Sequence, residues 1–389
     1  MTRVASMGLG ASLAAGMIFM MQVPLLHQSS TFVSRIATLD PPAATAIAWP
    51  KVGSAAVVIP ALGVARAHHD GVVPIASLTK MMTAYVVMEK LPLNPGETGP
   101  CLNVNSDDVA YYQTIKEEGQ SSAAVAVGER LCEDQLLAGL LVHSAGNFAT
   151  MLANLAWGGT KAFVAHMNAD AVALGLAGTH YVDVTGIGTG SVSTALDQGL
   201  LAAKLMQWPA VRAIVDQPSV SLPVAGTLNS FTPFVGQDNV IGVKSGRTDA
   251  AGGCDVMAMT FDDAGQSQIA YAVVLGQRGG DLLGPAGKAA LALEDSVLRS
   301  QTSVTWPAGT VVGSVGWDNQ RVNVVTQAPV SVHVFTALGG VSARVSVFPQ
   351  TGPVASGQVV GFLRLGTANQ VPLVTERGLT PLTIWQRVA

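Results

Sequence analysis

A serine followed three residues later by a lysine, Ser77-Leu78-Thr79-Lys80, offers the most direct route to covalent chemistry in this chain. A serine hydroxyl is a weak nucleophile and needs a base beside it. Residues three apart on a helix share a face, so Lys80 can bring its amine to the Ser77 oxygen. Lysine acts as a base only when neutral, and burial or a neighbouring cation lowers its pKa. The positive end of a helix dipole at Ser77 favours negative charge developing there. Read alone, the tetrapeptide describes equally an N-cap serine followed by a surface lysine.

A second cation is available in Lys244-Ser245-Gly246-Arg247-Thr248. Ser245 can donate to a substrate carboxylate, and Gly246 permits a substrate backbone to approach the strand closely. A peptide laid along this strand gains main-chain hydrogen bonds by strand addition. Ser144-Ala145-Gly146-Asn147 interrupts two helical patterns and supplies a hydroxyl that can relay protons between lysines and a leaving amine. A turn-proximal edge strand and a polar inter-helix turn are the plain readings of these two segments. His68-His69-Asp70 lacks the further carboxylate or histidine that a metal site needs, so a surface loop is expected and no metal. His143 adjoins Ser144, and Arg247 carries a guanidinium suited to a carboxylate.

These groups need rigid elements to hold them. Ala55 to Ile59 reads as a strand and Ser77 to Glu89 as a helix. Glu133 to Trp157 carries two helical patterns, lined by Leu136, Leu137, Leu140 and Leu141, then by Phe148, Met151, Leu152 and Leu155. Thr160 to Leu174 is a further helix closed by Gly175, and Thr194-Ala195-Leu196-Asp197 resembles a capping box opening another. Val240 to Arg247, Asp255 to Phe261 and Gln268 to Leu275 form an antiparallel meander, followed by a helix from about Gly287 to Leu298. The expected fold is α+β, helices packed on an antiparallel sheet over 47–302. From Trp306 on, Val311-Val312, Val322 to Val325, Val330 to Val334, Val341 to Val347, Val359 to Leu365 and Val371 to Val374 are short β-rich runs, which predict an all-β module over 303–389.

In this order and at these spacings, S-x-x-K, a serine-bearing helix break and K-[ST]-G resemble the penicillin-binding and serine β-lactamase superfamily. The flanking runs 74–84, 179–186 and 241–254 resemble the low-molecular-mass serine D-alanyl-D-alanine carboxypeptidases in particular. The β-rich tail resembles the C-terminal domain of the same family. The resemblance implies that Ser77 attacks the carbonyl between two terminal D-alanines of a peptidoglycan stem peptide, with Lys80 as base and Ser144 assisting proton transfer. It implies that Lys244 supplies positive charge and Ser245 binds the terminal carboxylate, with Gly246, Arg247 and Thr248 along the substrate strand. The N–H groups of Ser77 and Arg247 would form the oxyanion hole. No cofactor is implied, and β-lactams are expected to acylate Ser77.

Two departures stand out. The family's second motif is S-x-N, whereas Gly146 occupies the third position here; Asn147, which follows at once, is the candidate for the substrate amide contact, although an amide one residue later points elsewhere on a helix. The third motif has serine where threonine is usual, which keeps the hydroxyl. Two rival readings follow. A serine β-lactamase lacks support because no E-x-x-x-N loop supplies a deacylation glutamate. A catalytically weak cell-wall binding protein is motivated by Gly146.

Composition agrees with a folded, exported enzyme. Hydrophobic residues make up 49% and charged residues 12%, which excludes a disordered chain. A net charge of −4 without a basic run leaves no nucleic-acid footprint. Val4 to Leu26 is an uncharged apolar run behind Arg3, matching the about 20 residues that span a hydrocarbon core. It reads as a signal anchor or a cleaved signal peptide within 1–27, followed by a Pro/Ala-rich tether over 28–46. Either way the remainder is extracytoplasmic, tethered to the membrane by the anchor or secreted if the segment is cleaved. Of the cysteines, Cys101 and Cys132 either pair or remain isolated buried residues, as does Cys254.

Overall fold

Strand-length apolar runs joined by short turns build the sheet that carries the site. The computed structural model describes residues 31–34, 45–237, 239–263, 265–317, 320–338, 343–348, 354–365 and 369–379. Strands β1 (Ser54–Ile59), β2 (Val64–His68), β3 (Val240–Thr248), β4 (Gly252–Asp263) and β5 (Gln266–Gln277) form one five-stranded antiparallel sheet, ordered β3-β4-β5-β1-β2. The K-S-G segment therefore lies on an edge strand, with one side unpaired among the described residues.

Alternate side chains of β4 enter two different cores. Cys254, Val256 and Ala258 join the helical core, which holds Met81, Met82, Leu137, Phe148 and Leu152. Met257, Met259 and Phe261 pack on the opposite face with Ala286, Ala290, Leu293 and Val297. Antiparallel sheets commonly leave one face wet. Here both are covered, and β1 is buried along its whole length. That is why 55–59 is continuously apolar rather than alternating.

The helices are α1 (Thr79–Lys90), α2 (Ser106–Glu117), α3 (Glu133–Leu141), α4 (Gly146–Trp157), α5 (Thr160–Ala173), α6 (Ala195–Leu205), α7 (Pro209–Val215) and α8 (Leu283–Leu298). Helix α2 escapes pattern reading because it buries only Tyr112 and Ile115. A capping box between Asn105 and Asp108 starts it. At α6, Thr194 caps the Asp197 N–H, while the Asp197 carboxylate accepts from Gly178 N and Thr179 Oγ1. Helix α8 starts before Gly287 because Pro285 sits in its first turn, where a missing N–H costs no helical bond. Cys101 and Cys132 face each other in the short ladder of Cys101–Asn103 with Arg130–Cys132 and form a disulfide, and Cys254 is a buried free thiol.

The chain divides into two compact units. The sheet and helices above belong to the unit of 40–303 with 333–340. The other unit has a six-stranded antiparallel sheet, ordered Thr31–Ser34, Val311–Trp317, Gln320–Thr326, Asn369–Thr375, Val359–Leu365, Ala343–Val347. Its core is Val312, Val315, Val322, Val324, Val360, Leu363 and Leu373 among others. Thr31–Ser34, inside the stretch read as a tether, is thus an edge strand of this sheet. The apolar run read as an anchor lies outside the described residues. Among the described residues no helix is long and apolar enough to cross a membrane.

Candidate active site

Ser77 sits in a 3-10 turn, Ala76–Leu78, that runs into α1. Ala76 before it has φ +48, a left-handed conformation uncommon for a residue with a Cβ and typical of sites that aim a side chain. Lys80, on the first turn of α1, places Nζ 2.8 Å from Ser77 Oγ and donates to the Thr185 carbonyl at 2.9 Å. Only 2% of Lys80 is exposed. Burial lowers its pKa to about 7, against the opposing pull of the Asp183 charge. Near neutral pH much of Lys80 is therefore the free amine that a general base must be.

The acceptor on Lys80 is held by a small polar knot. Asp183 takes hydrogen bonds from the N–H groups of Thr185, Gly186 and Gly188 and from the Thr185 hydroxyl. Gly186 is obligatory: its φ is +83, and a Cβ there would overlap the Ala76 carbonyl oxygen. Gly246 meets the same turn from the other side, since a Cβ there would lie 2.7 Å from Ser77 N. The Ser77 turn is thus gripped between two glycines on different elements.

Lys244 is fully buried on β3, and its Nζ donates to the Ser245 carbonyl at 2.9 Å. Burial and the nearby Lys80 charge push its pKa well down, and Asp255 pulls the other way. Ser245 is also buried, and its hydroxyl donates to the Phe231 carbonyl at 2.7 Å. Arg247 is exposed and donates from Nη1 to the Asp281 carbonyl. The Thr248 hydroxyl accepts from Ala251 N, closing the turn into β4.

Ser144 has φ +62, and its buried hydroxyl has no hydrogen-bond partner among the described residues. Asn147 behaves differently from the substrate-binding amide expected of it. It is fully buried on α4, donates to the Ala123 carbonyl and accepts from the Ala123 N–H. Both halves of its amide hold the 121–123 segment, because an amide one residue past the motif's third position turns away on the helix. Gly146 donates its N–H to the Ser121 carbonyl in the same segment. His68 stacks on Trp49, and Asp70 accepts from Leu196 N, so that histidine pair is used in packing.

The residues that sequence reasoning missed act mainly through backbone atoms. Thr185 and Phe231 contribute carbonyls, which leave no compositional trace. Asp183 lies within the family-like run 179–186, but its place in the knot emerges only from the loop's fold.

Comparison with known proteins gives a consistent result. A family model described as D-alanyl-D-alanine carboxypeptidase matches residues 63–279. A D-alanyl-D-alanine endopeptidase of Escherichia coli (strain K12) is 32% identical over 235 residues, covering 57% of this chain and 72% of that protein. The D-alanyl-D-alanine carboxypeptidase DacC of the same organism is 27% identical over 364 residues, covering 90% of this chain and 86% of its own. The crystal structure of penicillin binding protein 5 from Haemophilus influenzae aligns with a TM-score of 0.59 at 19% identity, covering 88% of this chain and all of that one (100%).

Proposed function

The chain belongs to the D-alanyl-D-alanine carboxypeptidase family, and on that premise we propose that it is a serine D-Ala-D-Ala carboxypeptidase with Ser77 as nucleophile. The observation that supports this most directly is the buried Lys80 amine 2.8 Å from Ser77 Oγ. Neutral Lys80 takes the hydroxyl proton as Ser77 Oγ bonds to the carbonyl carbon between the last two D-alanines. The N–H groups of Ser77 and Arg247 receive the oxyanion. The C–N bond breaks, and the proton passes through the Ser144 hydroxyl to the leaving amine, releasing D-alanine. Water then adds to the acyl-enzyme with Lys80 again as base, and Ser77 is restored.

Lys244 and Ser245 hold the terminal carboxylate, which requires the Ser245 hydroxyl to swing from the Phe231 carbonyl. Gly246 keeps the substrate strand close to Ser77, with Arg247 and Thr248 continuing it. Asn147 supports the site by fixing the 121–123 segment. β-Lactams, with a strained amide in place of the dipeptide bond, acylate the same serine, and the reaction uses no cofactor. The substrate, peptidoglycan stem peptide, places the reaction outside the cytoplasm.

We further assign 1–27 to membrane anchoring or export and 47–302 to the peptidase domain, which also takes 333–340, while the β domain of 303–389 gains the Thr31–Ser34 strand from the stretch read as a tether. The test is D-alanine release from a D-Ala-D-Ala-ended peptide, against a Ser77→Ala control. Release at the control rate overturns the reading in favour of a binding protein. The similarity to an endopeptidase favours a second activity on cross-linked peptides, measured in the same assay with a cross-linked substrate.

A further inference from the structure

Two aromatic side chains stand where the second and third motifs meet. The His143 and Phe231 rings stack with centroids 4.4 Å apart and planes 30° from parallel. Phe231 is a large apolar side chain left 37% exposed. Its main chain is tied down on both sides. Phe231 N donates to the Val142 carbonyl at 3.0 Å, and the Phe231 carbonyl accepts from Ser245 Oγ at 2.7 Å. His143 Nδ1 lies 2.9 Å from the Asn229 carbonyl. The 229–231 segment is thereby stitched to the residues just before Ser144 and to Ser245 at once.

We infer that the Phe231–His143 stack is the wall against which the side chain of the departing residue packs, making Phe231 a specificity-determining residue. The inference rests on the proposed reaction, in which Ser144 serves the leaving amine and Ser245 the terminal carboxylate. Those two groups flank one carbon, the α-carbon of the departing residue, so its side chain falls beside the segment joining them. The ring is held by its stack on His143, whose Nδ1 is tied to the Asn229 carbonyl, and the Phe231 N–H bond to Val142 keeps the main chain in place when Ser245 leaves for the substrate. A methyl group packs on such a face, whereas a long chain must displace it or stay in water. An enclosed apolar pocket discriminates by about 10- to 200-fold per methylene, and a wall left 37% exposed is expected at the low end of that range. Because Phe231 engages Ser245 through its carbonyl, replacing the side chain leaves that bond available.

The test uses the full chain and two acyl peptides, one ending D-Ala-D-Ala and one ending D-Ala-D-Lys. The unsubstituted protein is expected to favour departing D-alanine at least tenfold in kcat/KM. Phe231→Ala is expected to shrink that preference at least fivefold, and Phe231→Leu to shrink it partially. If Phe231→Ala cleaves neither peptide, Phe231→Leu decides. A preference within twofold of the unsubstituted protein in the variant that cleaves overturns the wall alone. Absence of cleavage by the unsubstituted protein overturns the Ser77 reading, and the wall with it.

Discussion

The two faces of the five-stranded sheet bury ionisable groups in opposite ways. On the helical face, Lys80 and Lys244 are enclosed, yet each amine has a defined partner: Ser77 and the Thr185 carbonyl for one, the Ser245 carbonyl for the other. On the α8 side, Glu294 is enclosed with the Met259 backbone as the group that favours its charge, and Asp255 of β4 is fully buried with no hydrogen-bond partner among the described residues, though it feels the Lys244 charge. Burial pushes both acids well above the ordinary carboxyl range, as it pushes the lysines down. Desolvation is common to both faces, and the hydrogen-bonding partners separate them. A buried base beside a hydroxyl is poised for proton transfer, whereas a buried acid without a partner only retains its proton.

Removing the poised group should have the largest effect. Ser77→Ala is expected to lower D-alanine release by at least about a thousandfold, with Lys80→Met comparable, since nucleophile and base act as one unit. A Lys80→Met variant within tenfold of the parent would break the contrast, because burial on the helical face would then do no more than on the other. Next in size is the knot that holds the Thr185 carbonyl. Asp183→Ala is expected to cost about 10- to 100-fold in kcat/KM, as misplaced catalytic groups do, with Tm followed to separate misfolding from misplacement.

The pH profile sharpens the comparison further. With Lys80 titrating at about 7, kcat/KM should climb as pH rises through that value, because the neutral amine is the active form. Asp183 holds the Lys80 pKa up, so Asp183→Asn should move this limb to lower pH. A limb that stays in place or moves upward would exclude Lys80 as its origin. The smallest effect belongs to the other face. The folded-state pKa of Glu294 is raised, so its stabilising share is present below the ordinary carboxyl pKa and is lost as pH climbs towards the folded value. Glu294→Gln should therefore raise stability near pH 8, because glutamine removes the stabilisation that ionisation gives the unfolded chain at that pH. The gain should fade near pH 4 in thermal melts, and an equal gain at both pH values would refute the protonation argument.

The Ser77–Lys80 pair and the K-S-G strand are legible in the sequence because each is written in side chains at fixed spacing. The meander is legible for the same reason. The burial of both its faces is not, since α8 covers the second face from a separate helix further along the chain. Asn147 escapes correct assignment because its partner, Ala123, lies 24 residues away in a segment without periodicity. Thr185 and Phe231 are invisible because a carbonyl belongs to every residue. The sequence leaves Cys101 and Cys132 open, since pairing depends on the two short strands that bring them into register.

Gly186 bears on how freely this chain can vary. No residue with a Cβ fits between it and the Ala76 carbonyl, yet the loop it belongs to is anchored independently by Asp183. A population of random variants sorted for solubility alone would therefore retain alanine and serine at 186, in chains whose nucleophile turn has been displaced. The same population sorted for D-alanine release would return glycine. The position records selection on activity separately from selection on folding, and a deep mutational scan read out both ways would expose it as a site where those two pressures part.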